Sequence, residues 1–128
     1  MKKRKKKLGI IDGKFHPCPK SPKCVSSQST NKKHKMEPIK YEISLEEAKS
    51  KLISIINAFK RVKLISETEN YLYFEFRTRF WRFVDDVEFF FDDTKKIIHF
   101  RSSARFGYYD WGVNKNRMIK IKKSFMDT

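Results

Sequence analysis

Arg101, Arg105 and Arg117 fall within one seventeen-residue stretch that also holds Gly107, Asp110, Gly112 and Asn114. Guanidinium groups are forks of N–H donors that suit a carboxylate or a phosphate. If the three converge near the start of the last helix, the free N–H groups there add partial positive charge. The stretch then becomes a site for an anionic small molecule or an acidic protein surface. The same residues also have an internal reading. Arg101 can pair across strands with Asp86 or Glu88, because either plausible hairpin register puts an acid opposite it. Asp110 or Asn114 can cap the helix, and Gly107 and Gly112 can supply turn conformations. Arg105 and Arg117 have no evident acidic partner in the sequence.

Catalytic chemistry finds less support. Asp85, Asp86 and Glu88 are close together, but strand alternation sends Asp85 and Asp86 to opposite faces. His16, His34 and His99 are scattered, and His99 reads as an outward strand residue beside Arg101. The sequence has no Gly-rich phosphate loop, G-x-S-x-G or H-E-x-x-H motif. No catalytic residue, metal ligand or cofactor is expected. An enzyme would have to use Asp110 beside an arginine-bound substrate.

The formal net charge is +15 over 128 residues, and it is unevenly placed. Residues 1–40 hold 13 Lys and Arg against 2 acids, whereas residues 41–128 hold 17 against 13. The basic arm, with a basic face on the last helix, predicts non-specific association with nucleic acid as an alternative function. Tyr71, Tyr73 and Phe90 on one strand face could stack bases, although the acids among them oppose this. No apolar run approaches the ~20 residues of a membrane span. Only Leu8-Gly9-Ile10-Ile11 follows the basic start, too short for a signal peptide's apolar core. A cytoplasmic location is expected.

Cys18 and Cys24, in C-x5-C spacing, leave three alternatives. They are reduced in the cytosol, they close a small disulfide loop if the chain is exported, or they join His16 and His34 in a metal site. The cytosolic expectation favours the reduced pair.

The elements that must position these groups follow from periodicity. Residues 1–7 form a basic tail, and residues 8–40 an extended Pro/Cys arm. Cys18, Val25, Met36 and Ile39 are its candidate anchors. Residues 41–128 form one α+β domain. Ser44 and Glu47 make a capping box, and Leu45, Ala48, Leu52, Ile55, Ile56 and Phe59 give one apolar stripe, predicting a helix over 44–60. Four strands are expected at Val62–Glu67, Tyr71–Arg79, Val84–Phe91 and Ile97–Ser103, with short antiparallel connections. Val113 to about Met126 reads as a helix, with Met118, Ile121 and Phe125 inward. The expectation is therefore helix, four-stranded antiparallel sheet and C-terminal helix, in two layers.

Three motifs, in order, carry a family resemblance. Cys18-Pro19-Lys20-Ser21-Pro22-Lys23-Cys24-Val25-Ser26-Ser27-Gln28 resembles the CPxSPNCVSSQ opening of the domain of unknown function 1499 family of bacterial and plastid proteins. Arg82-Phe83-Val84-Asp85-Asp86-Val87-Glu88-Phe89 continues it. Arg101, Ser102, Arg105, Gly107, Asp110, Gly112, Asn114 and Arg117 are similar to its RSxSRxGxxDxGxNRxR ending. Lys23, Ala104 and Lys115 depart from the usual Asn, Ser and Arg. The resemblance spans residues 8 to about 125. It implies a shared fold and extent, and it implies no reaction. Many relatives carry a membrane or export segment upstream, which this sequence does not show.

Overall fold

Ser44 opens the first helix by the reciprocal bonds its sequence predicts. Its hydroxyl accepts from the Glu47 backbone N–H, and the Glu47 carboxylate accepts from the Ser44 backbone N–H. The computed structural model describes residues 8–80 and 83–127; the basic tail 1–7 and Arg82 of the middle motif lie outside the described residues. In chain order the elements are β1 (Ile10–Ile11), β2 (Lys14–Phe15), β3 (Cys24–Ser26), β4 (Ile39–Lys40), α1 (Leu45–Asn57), β5 (Val62–Glu67), β6 (Tyr71–Arg77), β7 (Val84–Asp92), β8 (Ile97–Ala104) and α2 (Val113–Met126). The chain is α+β, as expected. Helix α1 stops at Asn57, short of residue 60, because the Ala58 and Phe59 N–H groups turn back on the Ile55 and Ile56 carbonyls.

Strands β5 to β8 form the expected antiparallel meander, but the sheet has six strands rather than four. Both additions come from the arm. β3 pairs with β8 at Cys24↔Ser103, Val25↔Ser102 and Ser26↔Arg101. β4 pairs with β8 at Ile39↔Ile98 and Lys40↔Ile97. In a bare meander β8 would be an open edge with a row of unpaired N–H and C=O groups. Two short arm segments cover it in tandem. Pro22 and Pro38 precede these segments, where a missing N–H costs no ladder bond. A separate two-stranded sheet, β1–β2, turns at Asp12-Gly13, both with positive φ.

The inner face of the sheet packs Phe74, Phe89, Phe91 and Phe100, all fully buried, against Leu52 and Ile56 of α1 and Met118 and Ile121 of α2. Val25 and Ile39 do anchor the arm in this core, with Met36 packed against it. The face expected to point to solvent is instead largely buried: Tyr73, Glu75, Asp86, Glu88 and Arg101 are all under one-tenth exposed. The arm covers part of it. The Gly9 N–H donates to Glu88, Arg101 donates to the Pro17 carbonyl, and a side chain at Gly13 would touch the Phe90 ring. Tyr73 is buried and Tyr71 and Phe90 are half-buried there, a further observation against base stacking on this face.

Cys18 and Cys24 are joined in a disulfide, correcting the reduced pair expected for a cytosolic chain. The metal alternative loses its thiolates, and the His34 ring nitrogen Nδ1 lies 2.8 Å from the Cys24 carbonyl oxygen. The bridge closes the loop just before β3. Its removal in a Cys18→Ser/Cys24→Ser variant is expected to lower stability by about 2 kcal/mol through the freedom returned to the unfolded chain. Denaturant unfolding with and without reductant measures this. The reduced native chain should match the variant, and equal stability of all three forms would refute the expectation.

Candidate functional site

The arginine-rich stretch splits at the sheet. Alternation along β8 sends Arg101 and, just beyond its end, Arg105 to the arm-covered face, while Ser102 faces α2. Arg117 approaches from α2 on that second side. The three guanidinium groups, which the anion-binding reading brings together, therefore lie on two faces of the sheet.

On the helix side the residues form one connected lock. Arg117 Nη2 donates to Asp85 at 2.7 Å and Nη1 to Asn114 Oδ1 at 2.7 Å. The Ser102 hydroxyl donates to the same Asn114 oxygen at 2.6 Å. The Asn114 amide donates to Asp110 at 2.9 Å. Ser102 and Asn114 are fully buried, and the Arg117 guanidinium lies 4.4 Å from the Phe76 ring centre. Burial raises the Asp85 carboxyl above its ordinary range, against the pull of Arg117. Asp110 accepts from the backbone N–H groups of Gly112 and Asn114, so it satisfies orphan donors at the start of α2 although Gly112 is the formal cap residue. Both carboxylate oxygens are thereby engaged at the start of α2. Gly112 and Gly107 both hold positive φ.

On the other side lies an acid–arginine network. Glu88 and Arg101 sit opposite each other in the β7–β8 ladder, one of the two pairings expected. Their charged atoms are 3.6 Å apart. Glu88 is fully buried and takes donors from Gly9 and from the Tyr71 hydroxyl at 2.7 Å. Desolvation raises its carboxyl above the ordinary range and raises the Tyr71 phenol, beside Glu88, further from ionisation. Arg105 reaches Asp86 at 2.6 Å and Glu75 at 3.0 Å. The Tyr73 hydroxyl donates its one proton to Asp86 at 2.5 Å, lies 3.1 Å from Glu75, and accepts from Arg105 at 3.2 Å. The Asp86 contact, ahead of the opposing desolvation, raises the Arg105 guanidinium above its ordinary range, so it stays charged. His99, expected at the surface, is half-buried beside the Ser27 hydroxyl, and that burial lowers its imidazole below its ordinary range.

Sequence reasoning thus found the arginines but missed their partners Glu75, Tyr73 and Asp85. Alternation placed Glu75, Asp86 and Arg101 on one face, but only the β6–β7 and β7–β8 registers bring Glu75 opposite Asp86 and Asp86 within reach of Arg105. A second feature was also missed. Phe80, Phe83, Phe106, Tyr108, Tyr109 and Trp111 are each more than half exposed. They lie on the β6–β7 and β8–α2 loops. Both loops emerge from the same end of the sheet, where Asp85 pairs with Ala104 and the Arg105 N–H donates to the Val84 carbonyl.

A family model described as a protein of unknown function (DUF1499) matches residues 14–125. The chain belongs to that family, whose function is uncharacterised. No curated protein and no solved structure matches the chain. Among the described residues, no helix is long and apolar enough to cross a membrane.

Proposed function

We propose that this member of the DUF1499 family is a non-catalytic binding module for an anionic partner, and that it makes contact through the loop end of the sheet rather than through the arginine motif itself. The observation that carries this reading is the division of labour among the residues. Arg101, Arg105 and Arg117 each have an internal carboxylate, whereas the loops they brace hold six aromatic rings in solvent. Exposed Arg61, Arg79 and Lys115 lie on segments beside them. A guanidinium already committed to a buried carboxylate gains little from a further anion. Exposed cations beside apolar rings remain available to a partner.

Binding of the full chain to polyglutamate, single-stranded RNA and phosphatidylserine vesicles tests the proposal. At least one probe should bind. Phe106→Ser/Trp111→Ser and Arg79→Ser/Lys115→Ser should each weaken that binding about tenfold with thermal unfolding unchanged. Binding that ignores both pairs, or no binding at all, overturns it.

A second reading, nucleic-acid association, is favoured by exposed Lys115, Lys120 and Lys123 on α2. It predicts RNA affinity that falls steeply with salt and falls further when residues 1–7 are deleted.

A further inference from the structure

We infer that the loop end seats in the headgroup layer of an anionic lipid bilayer. The inference rests on the reading above that this end is the contact surface, and it names the partner. Three observations carry it.

First, the loops that carry the exposed rings are braced by hydrogen bonds. Thr78 braces the β6–β7 loop: its backbone N–H donates to the Phe83 carbonyl at 2.9 Å, and its hydroxyl accepts from the Phe83 N–H at 3.0 Å. Asp110 fixes the second loop to α2, and its own backbone N–H donates to the Pro22 carbonyl. Trp111 is 85% and Phe80 68% exposed from these braced loops. Exposed aromatic surface on this scale marks a contact site.

Second, the ring types match a bilayer interface. Phe80, Phe83 and Phe106 have no polar handle and suit the acyl boundary. Tyr108, Tyr109 and Trp111 each have an apolar body and a polar tip, the type enriched where water meets lipid. Tyr109 stacks on Trp111 at 5.4 Å and meets Tyr108 edge-on at 4.9 Å. These rings pack on one another and leave a mostly apolar protrusion on the loop.

Third, the charge is one-sided. The described segments that build this end, 19–24, 60–62, 76–80, 83–85 and 104–117, contain two acids, and both are engaged internally: Asp110 caps α2 and buried Asp85 pairs with Arg117. Lys20, Arg61, Arg79 and Lys115 are exposed on them. Phosphatidylserine headgroups attract such a rim while the rings enter between them.

Vesicle co-sedimentation of the full chain tests this. Binding to phosphatidylserine-containing vesicles should exceed binding to phosphatidylcholine vesicles. Phe80→Ser/Phe83→Ser and Phe106→Ser/Trp111→Ser should each lower the partition coefficient about tenfold or more. These side chains are exposed, so the variants should melt with the native chain. Brominated acyl chains should quench tryptophan emission of the native chain, and Trp111→Phe should keep binding while losing much of that quenching. Absent vesicle binding, or vesicle binding that only deletion of residues 1–7 abolishes, overturns the inference. If RNA or polyglutamate binds instead and the same aromatic pairs abolish it, the bilayer assignment fails while the loop-end reading stands. If no probe shows loop-dependent binding, both fail.

Discussion

Asp85→Ala is expected to lower the unfolding free energy by about 3–5 kcal/mol, because it strands the Arg117 guanidinium in a nearly closed site. Asp85 is 7% and Arg117 11% exposed at the side chain, so water cannot replace the lost carboxylate. The effect should spread, since Arg117 also holds the Asn114 oxygen that receives the Ser102 hydroxyl. Removing both charges in Asp85→Ala/Arg117→Met should recover a large part of the loss, because an apolar pair avoids the desolvation that the single variant leaves uncompensated. Urea unfolding of the two single variants and the double variant closes the cycle. Additive single effects would mean that Asp85 and Arg117 do not act as a pair.

Arg101→Leu is expected to cost about as much near neutral pH, again about 3–5 kcal/mol, with a pH signature that belongs to Glu88. Arg101 pulls the Glu88 carboxyl down against the larger upward push of burial. Without Arg101, the folded-state value rises further. The sign follows from proton uptake. A carboxyl raised in the folded state holds its proton there more tightly than in the unfolded chain, so stability falls as pH climbs from the ordinary carboxyl value of 4.5 toward the folded value. The deficit of Arg101→Leu relative to the native chain should therefore be smallest near or below that ordinary value and grow with rising pH. In Arg101→Leu/Glu88→Gln the growth should vanish. A deficit that is flat across this window would show that Glu88 is not the responsible group.

Much of the frame was legible without coordinates, because its signals are short-range. The Ser44–Glu47 capping box and the three-and-four spacing of Leu45, Ala48, Leu52 and Ile56 place α1 within a turn. Alternation in 71–79 and 84–91 identifies β6 and β7, which in the structure end at Arg77 and Asp92, and separates Asp85 from Asp86. It also anticipates an acid opposite Arg101. The Asp12-Gly13 turn of β1–β2 carried a local hairpin signal as well, but the prolines that follow and the two-residue strands read as loop.

The arm and the site were not legible in the same way. β3 and β4 are three and two residues long, too short to show a period. They become strands only because β8, some sixty to eighty residues later, offers them an edge. Arg105 and Arg117 lack acids at any fixed offset; Asp86, Glu75 and Asp85 reach them through ladder register and helix docking. A side chain's local period says which way it points, but not what covers it. The sequence by itself determined which residues point together, since helix and strand geometry repeats within a few residues. Tertiary structure decided which charges meet, which outward face the arm closes over, and which aromatic rings stay in water. Those outcomes depend on strand edges and buried polar groups that must be satisfied by whatever part of the chain can reach them.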